Sequence, residues 1–493
     1  MKIISKIDKK VLARSIQRAK ERGVILPTFA QQKNPAKLVP AKIQQKLKKI
    51  KPQDIHPLNL FRITWKNDPK TGGFGEGNWV EFPKEITGVD ARIVGLVGRH
   101  FPTGAHKVGA AYGCLVPRLV SGNFDPTTQK AVWPSTGNYC RGGAYDCALL
   151  GCPAIAILPE GMSQERFQWL KSIKTDEIIA TPGTESNVKE IYDMCWTLRK
   201  ERGDKIVIFN QFEEFGNSIW HYNMTGGAIE ELYENHFKTA NSRLAGYVSA
   251  TGSAGTIAAG DFLRTKHPGL RVVANEAQQC PTLYQYGFGA HRIEGIGDKH
   301  IPWVHNVRNT DAVAAIDDEQ VMQIMRLFND PVGQDYLRKQ GVQDAVIRQL
   351  PAAGISSICN LVSAIWTARY YEMDGRDVIF MPLTDSMDLY ASRMVEMGEQ
   401  YGRYSADKAA RSYARYLQGC DPTTFRELTY FDRKALHNFK YFTWVEQQGK
   451  TSEELRELWD EDFWKSVFDP AQVAEWDKLI NQFNAATGLL KNL

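Results

Sequence analysis

The chain has 493 residues, too many for one small core, and its 43% hydrophobic and 24% charged residues are typical of a globular protein of two or more domains. The formal net charge of +5 gives no reason to expect nucleic acid or a membrane as a partner. No Cys-x-x-Cys pair occurs and no apolar run approaches the ~20 residues that span a bilayer, so we predict a cytoplasmic protein without a metal site.

Residues 1–60 form a predicted helical and extended segment. Ile3, Ile7, Val11 and Leu12 recur near helical spacing among many lysines and arginines. This pattern favours an amphipathic helix with a solvated basic face. The alternative is an arm that binds an anionic partner.

Between about residue 90 and residue 390, short apolar runs alternate with longer helical patterns. The predicted strands are 91–98, 131–135, 153–159, 176–181, 205–210, 245–251, 270–276 and 377–382. The alternation predicts βαβ units and parallel sheets, which are covered on both faces because the strands are uniformly apolar. We expect two α/β domains, a larger one from 61–130 and 211–395, and a smaller one, 131–210, inserted into it.

Past residue 395 the predicted strands stop, and 396–493 is expected to be a helical C-terminal extension. Segments 407–419, 451–468 and 470–488 have helical patterns. Thr451 and Glu454 form a predicted capping box at the start of the second helix. The tryptophans of this extension are expected to pack or to contact another subunit.

Two segments place candidate chemical groups at predicted helix starts. The stretch "GRHFPTGAHKVGAAYG" (98–113) puts Lys107 at the mouth of a helix. The stretch "PSTGNYCRGG" puts Ser135, Thr136, Gly137 and Asn138 on the turn after a strand. Unpaired N–H groups, hydroxyls and an amide at such a turn suit a carboxylate or a phosphate, although an ordinary N-cap turn is the alternative.

A third segment, "TGSAGTIAAG", follows strand 245–251 with a turn of small residues, Gly252 to Thr256. Small residues let backbone N–H groups approach a phosphate closely. The turn lacks both the Gly-Lys-Ser/Thr of a P-loop and the G-x-G-x-x-G of dinucleotide sites. A single phosphate group is therefore the expected ligand of this turn.

The three segments together predict one ligand. In open α/β sheets, ligands bind beyond the carboxyl ends of the strands, where these junctions gather. A cofactor with one phosphate, and an aldehyde that forms a Schiff base with Lys107, would use all three segments, and pyridoxal phosphate (PLP) has both groups. The rival is a nucleotide binder that uses no PLP.

Six segments, in order over residues 98–390, resemble the fold-type II PLP enzymes, most closely the cysteine synthase and cystathionine β-synthase group. They are "TGAHKVG", which is also similar to the lysine motif of tryptophan synthase β chains; "STGN" with "LLGCPAIAILPEGMSQER"; "NQFEEFGNSIWHYNMTGGAIEE"; "TGSAGTIAAG"; "HRIEGIGDKHIP"; and "AGISSICN". The phosphate loop of that group usually has more glycine.

The resemblance implies roles for individual residues. Lys107 would bind PLP covalently and then move the substrate α-proton, and Asn138 would hydrogen-bond the 3′-oxygen of the cofactor. His106 would touch the phosphate, as in the tryptophan synthase comparison. The remaining implied contacts are Ser135, Thr136 and Gly137 with the substrate carboxylate, Gly252, Ser253, Ala254, Gly255 and Thr256 with the phosphate, and Gly295 with the cofactor ring.

Two departures from the family pattern leave alternatives open. Arg141 stands near the helix start where the family usually has Thr-Gly, and it is either a contact for a second substrate carboxylate or an exposed arginine. In "MPLTDSMDLYAS" (381–392), Thr384, Asp385 and Ser386 compete for the place beside the pyridine nitrogen. We favour a hydroxyl there, Thr384 before Ser386.

The resemblance implies a PLP-dependent lyase or transferase that acts at the β-carbon of a small amino acid, by replacement or elimination through an aminoacrylate. Cysteine, serine and O-activated serine are the expected substrates. The alternatives are β/γ chemistry of the threonine-synthase or dehydratase type, and a PLP-binding subunit that needs a partner chain. A homodimer is expected from the resemblance alone.

Overall fold

The computed structural model describes residues 3–4 and 6–492, the last of these by its backbone alone, and within that part of the chain it contains eleven strands. The strands are β1 (Trp79–Phe82), β2 (Arg92–Val97), β3 (Lys130–Pro134), β4 (Ala154–Pro159), β5 (Glu177–Thr181), β6 (Ile206–Ile208), β7 (Arg243–Ala250), β8 (Arg271–Ala277), β9 (Ala312–Ile316), β10 (Asp377–Leu383) and β11 (Phe425–Glu427).

These strands form two sheets. The larger sheet has the order β1-β2-β10-β7-β8-β9-β11, and the smaller one has the order β5-β4-β3-β6. All pairs in the smaller sheet are parallel, whereas the larger sheet has a parallel centre and an antiparallel strand at each edge. The predicted α/β fold with parallel sheets is confirmed.

The α-helices flank these sheets and form both terminal regions. They are α1 (Lys9–Arg22), α2 (Phe29–Lys33), α3 (Pro35–Leu38), α4 (Ala41–Leu47), α5 (Lys84–Thr87), α6 (Lys107–Ser121), α7 (Asn138–Leu150), α8 (Gln164–Ser172), α9 (Val188–Arg202), α10 (Phe215–Trp220), α11 (Gly226–Leu232), α12 (Ala258–Lys266), α13 (Thr282–Gln285), α14 (Asp318–Asn329), α15 (Pro331–Lys339), α16 (Asp344–Ile347), α17 (Ile355–Tyr370), α18 (Ala391–Tyr401), α19 (Ala406–Tyr413), α20 (Tyr430–Lys440), α21 (Ser452–Glu457), α22 (Glu461–Val467) and α23 (Pro470–Thr487).

All eight predicted strands are present, but the prediction missed β1, β9 and β11. The expectation that strands stop after residue 395 is wrong, because β11 pairs with β9 at the sheet edge. A three-residue strand is too short for its alternation to be recognised. The sequence of β9, "AVAAI", is dominated by alanine, which has a weak preference for strands.

The two terminal regions pack together over α6, the helix that begins at Lys107. The Asn484 side chain in α23 exchanges hydrogen bonds with the backbone of Leu26, at 2.9 and 2.8 Å. The rings of Phe29 and Trp476 lie 5.3 Å apart, and the Tyr112 hydroxyl in α6 donates to the carbonyl of Pro27. Both termini therefore support the helix that carries the lysine.

The helical predictions for the terminal regions are confirmed. The basic segment forms α1, which begins at an Asp8 cap and exposes most of its charged residues. Segment 451–468 divides into α21 and α22, and the predicted Thr451–Glu454 capping box starts α21. In the described part of the chain, no helix combines the length and apolarity needed to cross a membrane. The assignment of residues to two domains stays a prediction.

Candidate active site

Lys107 is the first residue of α6 and points its amine into a narrow cleft. Its Nζ donates a hydrogen bond to Ser253 Oγ at 3.1 Å. Burial lowers the pKa of Lys107 to about 8, because a charged ammonium loses hydration there. About one tenth of this amine is therefore neutral, and so nucleophilic, at pH 7.

The cleft lies where strands from both sheets end. Ser135 follows β3 of the smaller sheet, whereas Gly252 and Thr384 follow β7 and β10 of the larger one. The predicted site residues that line it are Lys107, Ser135, Thr136, Asn138, Gly252, Ser253, Gly295 and Thr384. The sequence analysis did not single out five further lining residues, which are Tyr139, Val188, Gln211, Phe212 and Gly297.

The turn from Gly252 to Ile257, here called the phosphate loop, offers a row of free backbone donors. No amide N–H from Gly252 to Ile257 donates to another residue that the structure describes, and these amides precede α12. Ala254 has a left-handed backbone (φ 58°), which is uncommon for a residue with a side chain. Alternating right- and left-handed residues turn successive N–H groups to one side, which suits an anion.

Side chains from other elements support the phosphate loop. Asn217 Nδ2 donates to Ser253 Oγ at 3.1 Å, and a Cβ on Gly255 would come within 2.0 Å of Asn217 Oδ1. His106 Nε2 lies 3.3 Å from Thr256 Oγ1, and burial holds the pKa of His106 well below its usual value. The sequence analysis missed Asn217, although it lies in one of the family-like segments.

The turn from Ser135 to Asn138, here called the asparagine loop, has a backbone that requires glycine. Gly137 has φ 147° and ψ −74°, and its N–H donates to Ser135 Oγ at 2.9 Å. A Cβ on Gly137 would come within 2.6 Å of the Arg166 side chain, which packs beneath the loop. The loop is therefore shaped by a distant arginine as well as by its own glycine.

A group of buried charges lies beneath the asparagine loop. Arg166 is fully buried and bonds to Glu294, while its Nη2 donates to the Tyr390 hydroxyl at 2.9 Å. Glu185 accepts a hydrogen bond from the N–H of Gly295, and burial raises the pKa of Glu185 to about 8. The sequence analysis missed Arg166, Glu185 and Glu294, since these charges come from three separate segments.

The three residues considered for the pyridine nitrogen have different surroundings. Thr384 lines the cleft, whereas Ser386 Oγ donates to the Asp388 carboxylate at 2.9 Å. Asp385 is buried and accepts a hydrogen bond from Asn138 Nδ2 at 2.6 Å. The preference for Thr384 stays a prediction.

Arg141 is buried within α7, so the alternative of an exposed arginine is wrong. Its Nη2 donates to the carbonyl of Thr103 at 2.9 Å, and its guanidinium lies 4.4 Å from the ring centre of Trp169. Its Nη1 lies 3.4 Å from Asn138 Oδ1, behind the cleft wall. A contact between Arg141 and substrate stays a prediction.

Known proteins are similar to this chain in sequence and in architecture. The family model described as "Pyridoxal-phosphate dependent enzyme" matches residues 97–331. Over 226 residues the chain is 32% identical to a cysteine synthase of Staphylococcus aureus, which covers 46% of this chain and 69% of that protein. This chain belongs to the family of pyridoxal-phosphate dependent enzymes. The predicted family and cofactor are thus confirmed.

Other proteins that resemble this PLP-dependent enzyme in sequence or fold support the same family assignment. A probable cysteine synthase of Bacillus subtilis is 28% identical over 229 residues, 46% of this chain and 70% of that protein. The structure of O-acetyl serine sulfhydrylase isoform 3 from Entamoeba histolytica matches with a TM-score of 0.56 at 21% identity, over 70% of this chain and 94% of that one. A hydrogen sulfide-producing enzyme from Fusobacterium nucleatum matches with a TM-score of 0.54 at 22% identity, over 64% and 96%. The enzyme therefore has the fold-type II architecture.

The cleft residues fit the coenzyme that the family uses. A lysine amine of lowered pKa reaches Ser253 of the phosphate loop, so an aldehyde and a phosphate carried on one ring would meet both groups. The unpaired amides of Gly252 to Ile257, next to a helix N-terminus, are donors of the kind that a phosphate would need. Gly295 lines the cleft with φ 95°, and a Cβ there would lie 3.8 Å from Ser356 Oγ.

Proposed function

We propose that this enzyme acts at the β-carbon of a small amino acid, such as cysteine, serine or an O-activated serine, and replaces or eliminates the substituent there. One arrangement carries the proposal: the Lys107 amine faces both the phosphate loop and the asparagine loop in one cleft. The relatives named above are cysteine synthases and an O-acetyl serine sulfhydrylase, which supports β-carbon chemistry.

In this proposal Lys107 has two tasks. It would hold the coenzyme aldehyde through its amine, and the same amine would take the α-proton of the substrate. A general base works best when its pKa lies near the operating pH, and burial brings the pKa of Lys107 to about 8. The coenzyme supplies an electron sink, which lets the α-proton and then the β-substituent leave.

The two loops have separate tasks in the proposal. The amides of the phosphate loop hold the coenzyme phosphate, with Thr256 and Ser253 adding hydroxyls. The Ser135 and Thr136 hydroxyls on the asparagine loop bind the substrate carboxylate, and Asn138 donates to the 3′-oxygen of the coenzyme. Strand ends from both sheets thus surround the substrate, an arrangement that excludes water when it closes.

The first experiment assays the purified chain alone with cysteine, serine and O-acetylserine, each with and without sulfide. We expect turnover of at least one substrate by this chain without any partner. Lys107→Ala should lower the turnover rate by about 10³-fold or more, because it removes both the covalent anchor and the base. Lack of turnover with all three substrates would favour the subunit alternative or β/γ chemistry.

Borohydride reduction and peptide mapping test the anchor directly. We expect the coenzyme label on Lys107. Lys440 is an internal control, because burial lowers its pKa to about 7 but, among the residues that the structure describes, its amine donates to the carbonyls of Trp303 and His305 and does not line the cleft. A label on Lys440, or on any lysine other than Lys107, contradicts the proposal. Light scattering of the same preparation tests the homodimer.

A further inference from the structure

A hydrogen bond between Asp385 and Asn138 links the larger sheet to the smaller one. Asp385 follows β10 of the larger sheet, whereas Asn138 begins α7 after β3 of the smaller sheet. Asn138 Nδ2 donates to Asp385 Oδ2 at 2.6 Å, and Asn138 Oδ1 faces the Arg141 guanidinium at 3.4 Å. The amide orientation is therefore set from both sides, since guanidinium groups only donate and carboxylates only accept.

The charge of Asp385 is stabilised by its other neighbours. The Tyr390 hydroxyl accepts from Arg166 Nη2 at 2.9 Å, so its own proton points to Asp385 Oδ2 at 2.7 Å. Arg166 Nη2 itself lies 3.8 Å from the same oxygen. Burial raises the pKa of Asp385, while Arg166 and both hydrogen bonds oppose that rise. Two donors and a nearby guanidinium indicate that Oδ2 is an acceptor.

Asp385 itself faces away from the cleft. Asn138 and Thr384 line the cleft, but Asp385 does not. Its Oδ1 is buried without a partner in the described residues and packs against Gly354, where a Cβ would come within 2.0 Å. The closest route from this carboxylate to a ligand in the cleft is therefore through the amide of Asn138.

We infer that Asp385 is a positioning residue, which aims the Asn138 amide at the coenzyme rather than touching the coenzyme ring itself. The inference rests on the proposed role of Asn138. One hydrogen of Nδ2 is bound by Asp385, and the other remains available to the oxygen of a ligand. Without Asp385, the amide would lose its fixed orientation, and the two sheets would lose a link at the cleft.

A double-mutant cycle tests this inference by measuring the dissociation constant of PLP from the apoenzyme, by equilibrium dialysis. We expect Asp385→Ala and Asn138→Ala each to weaken PLP binding by about 10-fold, the value of one hydrogen bond to a charged or polar partner. The double variant should bind PLP no more weakly than Asn138→Ala alone. Additive losses, about 100-fold together, would overturn the inference, since Asp385 would then contact the coenzyme independently.

Asp385→Asn serves as a second variant that keeps the shape and one acceptor oxygen. We expect it to lose less PLP affinity than Asp385→Ala, and to lose none further when combined with Asn138→Ala. If Asp385→Asn lost as much PLP affinity as Asp385→Ala, the inference would also be overturned. The negative charge of Asp385, rather than its hydrogen bond with Asn138, would then determine PLP affinity. This arm remains informative if the alanine variant fails to fold.

Asp377→Ala is the matched control, because Asp377 is a buried carboxylate at the opposite end of β10 and pairs with Arg243. It should lower the midpoint of thermal unfolding and leave PLP affinity unchanged. A parallel loss of PLP affinity in Asp377→Ala would show that any buried charge on this strand matters, and would overturn the specific role of Asp385. If wild-type apoenzyme binds PLP but Asn138→Ala has no effect, the proposed role of Asn138 fails instead.

Discussion

The phosphate loop and the asparagine loop are both strand-to-helix turns, yet they are held in different ways. The phosphate loop presents unpaired amides from six consecutive residues, 252–257, and the side chains that contact it include Asn217, His106, Tyr247 and Lys107. The asparagine loop is held by Arg166 beneath it and by Asp385 from the other sheet. In the phosphate loop the unpaired donors come from one short stretch of backbone, although side chains from distant segments also contact it. The asparagine loop, in contrast, is held by charged side chains from other parts of the chain.

Gly255→Ala should have the largest effect among changes to either loop. The added Cβ would lie 2.0 Å from Asn217 Oδ1, so either the phosphate loop or the Asn217 side chain that supports it must shift. We expect PLP affinity to fall by about 10- to 100-fold, the cost of misplacing a hydrogen bond to a charged phosphate. Equilibrium dialysis of the apoenzyme measures this loss. Gly269→Ala is the control, since a Cβ there meets open space, and equal losses in both variants would refute the prediction.

Gly137→Ala should affect the asparagine loop and spare the phosphate loop. The backbone at φ 147° is strained for alanine, and the Cβ would press on Arg166, so we expect a loss of about 1–3 kcal/mol in the free energy of unfolding. The substrate KM should rise several-fold more than the PLP dissociation constant. Denaturant unfolding and steady-state kinetics test both points. A variant that loses PLP affinity as strongly as Gly255→Ala would remove the distinction between the loops.

The amine of Lys107 lies between the loops, so its titration reports on the cleft that they enclose. Burial lowers the pKa of Lys107 to about 8, and only the neutral amine attacks an aldehyde. The second-order rate of PLP capture by the apoenzyme should rise about tenfold per pH unit below pH 8 and level off above it. Stopped-flow absorbance follows this reaction, with N-α-acetyl-lysine as the reference. A rate that continues to rise to pH 10 would indicate a solvated lysine.

Ala254→Gly should have the smallest effect. The left-handed backbone of Ala254 costs about 1–2 kcal/mol, and glycine removes that cost but adds about 0.5–1 kcal/mol of chain entropy. We expect a net gain of about 0.5 kcal/mol in stability, with PLP affinity unchanged or slightly improved, as thermal unfolding of the apoenzyme can show. A clear loss of stability would mean that packing of the Ala254 methyl group stabilises the fold by more than its left-handed backbone costs.

The amino-acid sequence was enough to predict the α/β class, eight strands, the terminal helices and the lysine with its phosphate loop. These features depend on local information: apolar runs, helix starts and small residues at a strand-to-helix turn. It did not reveal β11, whose three residues become a strand only by pairing with β9. The expected exposure of Arg141 as an alternative also failed, since other segments bury it.

The contacts that hold the asparagine loop could be seen only in the folded protein. Arg166, Glu294, Asp385 and Tyr390 are separated by up to 224 residues in the chain, and no spacing in the sequence links them. Buried charges are tolerated where partners arrive from other elements, so their positions depend on how the sheets pack. Local backbone chemistry can be seen in a short stretch of sequence, but a charge network exists only once the chain has folded.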